Sequence, residues 1–127
     1  MGTASIEGRM IKMYFVDREK IELILGFTEK QLALLEETNA WETRIEKAAL
    51  ERVCQTIIDG ILDVGNAIID GFIMRDPGSF EDIIDILDDE KVVTKEMSPK
   101  LKTIVSYRRM LVQEYVSVEH EELLNVY

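Results

Sequence analysis

"TRIEKAALERVCQTIIDGILDVGNAIIDGFIMR", residues 43–75, decides the fold. Thr43 followed by Glu46 is a capping box: the hydroxyl takes the N3 amide and the carboxylate reaches back to the cap amide. After it, apolar residues recur at helical spacing with no breaker until "RDPGS" at 75–79. At ~1.5 Å per residue this predicts a rod of about 45–50 Å. A helix of that length in a small domain is central and packed on more than one side. Gly60, Gly65 and Gly71 lie inside it, each costing ~1 kcal/mol relative to alanine. Close packing of neighbouring helices is the expected compensation.

Upstream, "MYFV" at 13–16 is an apolar lead-in, and Asp17 is an N-cap for a helix over 18–38. Ile21, Ile24, Leu25, Phe27, Thr28, Leu32 and Leu35 give that helix its predicted apolar face. Downstream, Ser79 caps "FEDIIDILDDE", with Asp82 as the box acid and Phe80, Ile83, Ile84 and Leu87 as anchors. "KVVT" leads to Ser98-Pro99, a cap with proline at the first helical position. The next helix is predicted to run to about Tyr115, with Leu101, Ile104, Val105, Leu111, Val112 and Tyr115 on its apolar face. Ser117 caps a last helix, 118–127. The expectation is all-α: a single bundle of four to five helices around one long central helix, with short loops that favour antiparallel neighbours. Residues 1–9 read as a leader, because Ile6-Glu7-Gly8-Arg9 is a processing-protease recognition sequence and Met10 a native start. The domain is then 10–127, and because the last helical pattern is still running at Tyr127 the native chain is expected to continue.

The formal net charge of −10 opposes non-specific nucleic-acid binding, which depends on neutralising phosphates. The charge is segregated, however. Lys95, Lys100, Lys102, Arg108 and Arg109 face only Glu96 within 95–109, whereas 76–90 is acidic without a cation. The single cysteine, Cys54, cannot staple the fold; it reads as a small buried apolar residue in a reducing, cytoplasmic setting. The most apolar stretch is interrupted by Asp59, Asp63, Asn66 and Asp70, so no membrane helix is expected. One histidine and one cysteine far apart, and no Glu-x-x-His pair, predict no metal site and no cofactor.

Three groups are candidates for chemistry. Asp59, Asp63, Asn66 and Asp70 share one helix face; this is either a solvent-facing stripe or a polar seam against a site or a dimer partner. His120, set among Glu119, Glu121 and Glu122, reads as a surface helix residue. Arg108, Arg109, Gln113 and Tyr115 fall within "RRMLVQEY". By chemistry alone these are either a phosphate grip, with guanidinium forks beside an amide and a phenol, or a solvated helix edge.

"RRMLVQEY", 108–115, resembles the signature of the HepT-like branch of the HEPN superfamily, Arg-(polar)-x-Leu-Val-His-x-Tyr. "MYFVDREKIE", "ILDVGNAIIDGFIMRDPGSFEDIIDIL" and "LDDEKVVTKEM" follow the same family in order, nearest its YutE-like branch, so that the resemblance covers Met13 to Tyr127. It implies an all-α homodimer with the signature helices facing across the two-fold. It also implies a metal-independent RNase site made by the Arg and His. The implied partner is a minimal nucleotidyltransferase antitoxin that transfers AMP to the tyrosine, here Tyr115. One departure matters: Gln113 stands where the family has histidine. Glutamine hydrogen-bonds but does not titrate near neutrality. The expectation is therefore a HepT-like protein related to RNase toxins, with weakened or lost nuclease activity. Arg108 and Arg109 would hold RNA phosphate, Gln113 would mark a degenerate catalytic position, and Asp63 and Asn66 would form a polar seam near the site. The alternative is a non-catalytic helical dimer that binds a nucleotide, RNA or a nucleotidyltransferase-type partner.

Overall fold

Local capping chemistry starts the first three helices where the sequence places them. The computed structural model describes residues 17–127; the leader at 1–9 and the lead-in at 13–16 lie outside the described residues. The Asp17 carboxylate accepts from the Lys20 amide at 3.0 Å and opens α1 (Arg18–Glu37). Thr43 and Glu46 close the predicted box and open α2 (Arg44–Gly71). The Ser79 hydroxyl accepts from the Asp82 amide at 3.0 Å and opens α3 (Phe80–Asp89). The Asp82 carboxylate does not complete a box. It accepts from Arg75 Nη1 and Nη2 at 2.7 and 2.8 Å and from the Gly78 amide at 2.8 Å, tying down the α2–α3 turn. That guanidinium, with the Gly78 amide, holds the Asp82 carboxyl down at about 2.

Where the structure departs from the sequence expectation, the cause is local. The central helix stops at Gly71 rather than Arg75, because Ile73 turns left-handed (φ 51°) and the Met74 amide reaches back to the Ile69 carbonyl at 2.9 Å. α4 (Met97–Ser106) starts two residues before Pro99: the Thr94 hydroxyl accepts from the Met97 amide, and Ser98 is buried inside the helix instead of capping it. The helix predicted to reach Tyr115 breaks at Tyr107. The Ser106 hydroxyl donates to the Thr103 carbonyl at 2.6 Å, and the Tyr107 amide takes the Ile104 carbonyl in a tightened last turn. α5 (Arg108–Val112) and a 3₁₀ turn (Tyr115–Ser117) follow. Val112 and Tyr115, expected on the apolar face, are exposed. Ser117 does not cap the last helix, α6 (His120–Val126), which has no side-chain cap.

The described residues form a helical bundle around α2. Leu50, Cys54, Ile58, Leu62 and Ile69 of α2 pack with Ile83, Ile84, Ile86 and Leu87 of α3 and with Val105, Leu111 and Leu123. Cys54 is fully buried, and burial pushes its thiol up to about 12. Phe80, predicted as an anchor, is 44% exposed; Ile86 is buried alongside Ile83, Ile84 and Leu87. The predicted apolar face of α1 is only partly used, since Leu25, Phe27 and Leu32 are exposed and Thr28 alone is buried. Segregated charge is reunited in space, with Lys102 of α4 donating to Asp85 of α3 at 2.8 Å. No helix among the described residues is long and apolar enough to cross a membrane.

Candidate functional site

The break at Tyr107 sets the direction of Arg108. As the first residue of α5, Arg108 meets Asp59 of α2 and Phe80 of α3. Its Nε is 3.5 Å from Asp59 Oδ1, and its Cζ lies 4.6 Å from the Phe80 ring centroid. Nε is buried yet makes no hydrogen bond, so ion pairing and ring contact hold it rather than a directed bond. The guanidinium borders a cleft of about 470 Å³ lined by Arg108, Arg109 and Gln113 together with Phe80, Glu81 and Ser106.

Arg109 is exposed, and its Nε sits 3.7 Å from Glu114 Oε2, a solvated contact of little strength. It is free to turn to an anion in the cleft. Gln113 is exposed at the C-cap of α5, where its backbone N–H donates to the Arg109 carbonyl at 2.8 Å. Signature residues 108, 109 and 113 therefore meet at one opening. Tyr115, 69% exposed in the 3₁₀ turn, is outside the lining and open to solvent.

The polar stripe of α2 divides. Asp59 is half-buried against Arg108, whereas Asp63, Asn66 and Asp70 are exposed. Asp63 lines a separate shallow groove with Leu23, Ile24 and Phe27 of α1, and the Arg108 cleft includes neither Asp63 nor Asn66. His120 is not the free surface residue its neighbours suggest. It is half-buried, with Nε2 2.9 Å from Glu51 Oε2, and joins α6 to α2. It does not line the cleft. Among the described residues, no group of three or more His, Cys, Asp or Glu could hold a metal ion.

Sequence reasoning missed the roles of Asp59 and Phe80. Asp59 stood in the stripe, but which member meets Arg108 depends on how α5 lies across α2. Phe80 read as a core anchor because an aromatic at the start of an amphipathic helix carries no mark of facing a cation. Chemically the cleft can bind a phosphate through two guanidinium groups and an amide. It holds no imidazole among its lining residues.

Known proteins resemble this chain in sequence and in fold. The family model described as ribonuclease HepT-like matches residues 17–127. A protein of Bacillus subtilis (strain 168) named "Putative RNase YutE" is 54% identical over 111 residues, covering 87% of this chain and 77% of that protein. A solved structure of YutE from Bacillus subtilis, described as a cytosolic protein of unknown function, has a TM-score of 0.87 at 53% identity, covering 90% of this chain and 80% of that one.

Proposed function

Because this chain belongs to the ribonuclease HepT-like family, we propose that its cleft binds the phosphodiester backbone of RNA and cleaves it weakly or not at all. One observation carries the reading: Arg108, Arg109 and Gln113 line the same opening. The two guanidinium groups supply the charge that a phosphate needs, and they do so without a metal. Gln113 can donate from its amide nitrogen to a phosphate oxygen. It cannot take the proton of an attacking 2′-hydroxyl or return one to the leaving oxygen, because an amide does not titrate in the working range. General acid–base help is worth about 10²–10⁴-fold, so the rate falls by that order even where binding survives.

The same reading places the protein in a toxin–antitoxin setting as a cytosolic homodimer, with a minimal nucleotidyltransferase as partner and the exposed Tyr115 hydroxyl as AMP acceptor. The lack of an imidazole in the cleft also favours a second reading, a non-catalytic dimer that binds a nucleotide, RNA or such a partner.

Metal-free RNA cleavage by the wild type, Gln113→His and Arg108→Ala separates the two. Under the first reading Gln113→His raises cleavage by about 10²-fold or more, and Arg108→Ala abolishes it. Robust wild-type cleavage that needs Arg108 would overturn the weakened-site proposal. Cleavage absent from all three proteins, with RNA still bound through Arg108, selects the second reading. Incubation with a nucleotidyltransferase and ATP should add one AMP at Tyr115, and an active transferase that leaves the tyrosine unmodified removes that role.

A further inference from the structure

Phe80 is the one α3 anchor predicted by the sequence that does not join the core: Ile83, Ile84 and Leu87 are buried, while the Phe80 ring is 44% exposed. Leaving an aromatic ring in water forgoes the burial that normally places it. Its face is occupied by the Arg108 guanidinium, 4.6 Å from Cζ to centroid. Phe80 is also held from behind. It is the first residue of α3, directly after the Ser79 cap, and the turn leading to it is clamped by Arg75 and the Gly78 amide on the Asp82 carboxylate. The Arg108 Nε, buried without a hydrogen bond, is not aimed by a directed contact of its own.

We propose that Phe80 is a positioning residue for Arg108: its ring sets the plane of the guanidinium toward the cleft, and the Arg75–Asp82 clamp keeps the ring in place. An arginine side chain loses much rotamer freedom when it is fixed, so an unsupported Arg108 would have to be ordered by each incoming phosphate. A flat, electron-rich face beneath the cation removes part of that cost before the ligand arrives. Asp59 approaches the Nε edge and supplies counter-charge there, which leaves the terminal nitrogens as the donors available to an anion. The ligand class, an RNA phosphodiester, rests on the function proposed above; the placement of Arg108 does not.

The test uses the whole chain and a non-cleavable 2′-O-methyl oligoribonucleotide. Phe80→Leu keeps apolar bulk but removes the ring face, whereas Phe80→Tyr keeps the face. Two readouts are taken: oligonucleotide affinity, and the Arg108 Nε–H resonance, which the aromatic ring current shifts. Phe80→Leu is expected to weaken binding by about two- to fivefold, the range of an exposed cation–π contact, and to move the resonance out of the ring-current region. Phe80→Tyr is expected to retain both. Asp82→Asn, which loosens the clamp, is expected to move both in the direction of Phe80→Leu by a smaller amount. Phe80→Leu with an unmoved resonance and wild-type affinity overturns the proposal, as does Phe80→Tyr failing like Phe80→Leu. A wild type that binds no oligonucleotide defeats the functional reading instead, and the resonance alone then decides the role of Phe80.

Discussion

On one side of α2, Gly60 admits Thr28 of α1, and beside it Gln31 donates to the Thr56 hydroxyl at 2.8 Å. On the other side, Gly65 makes room for Ile83 and Leu87 of α3, within a cluster of buried aliphatic side chains. Both glycines mark a close helix approach, yet the two interfaces differ in kind. The α1 side joins polar groups and half-buried aliphatics, and leaves Leu23 70% exposed. The α3 side buries a continuous cluster of aliphatic side chains. Elements with few buried apolar contacts open locally at lower cost than core elements. The cationic cleft sits on the well-packed side, with Arg108 between Asp59 of α2 and Phe80 of α3. Under the function proposed above, in which Arg108 meets a phosphate in a set geometry, that rigidity is an advantage.

The largest test of this asymmetry is truncation on each side. Ile84→Ala, at a position with 0% exposure, is expected to cost about 2–5 kcal/mol in urea unfolding. Leu23→Ala is expected to stay within about 0.5 kcal/mol. Equal costs would abolish the distinction between the two faces. The next effect comes from the glycines. Gly65→Ala brings a Cβ to 2.6 Å from Ile83 Cγ2 and is expected to cost about 1–3 kcal/mol. Gly60→Ala meets only the Thr28 hydroxyl at clashing distance, so Thr28→Ala should rescue it with a coupling of about 1 kcal/mol in a double-mutant cycle.

Smaller effects follow from pH. The Tyr127 hydroxyl donates to the Cys54 carbonyl at 3.0 Å, and burial raises its pKa. The unfolded chain releases this proton near pH 10 while the folded chain retains it. The Tyr127 contribution is therefore undiminished below about pH 10 and falls as pH rises beyond it. Tyr127→Phe should lose about 1 kcal/mol at neutral pH and flatten the alkaline limb of thermal unfolding. Asp82 gives the smallest and opposite effect. Its folded carboxyl is depressed from 3.8 to about 2, so its stabilisation is complete above the unfolded value and drains away as pH falls through that interval. Asp82→Asn should remove this acid-limb contribution; an unchanged acid limb would show that the Arg75 clamp adds nothing to stability.

Much of the fold is legible in residues close together in the chain. Asp17, the Thr43–Glu46 box and Ser79 cap their helices through side-chain bonds to amides three residues away, and the apolar period of α2 marks it as central. Such signals are encoded in neighbouring residues, so a one-dimensional reading finds them. The signature likewise brought Arg108, Arg109 and Gln113 to attention. Contacts between distant segments were not legible. Apolar spacing across 97–115 matches a continuous helix, and it does not register that the Ser106 and Thr103 hydrogen bonding tightens the turn at Tyr107. That break brings Arg108 to Asp59 rather than to Asp63 or Asn66 and against the exposed Phe80 ring, and Tyr115 lies outside the cleft lining. The His120–Glu51 pair, 69 residues apart, has the same character. Helix identity follows from local hydrogen bonding and hydrophobic period, which neighbouring residues specify. The rotation and register of one helix on another follow from side-chain shapes fitting across α2, and that fit exists only once the helices have packed.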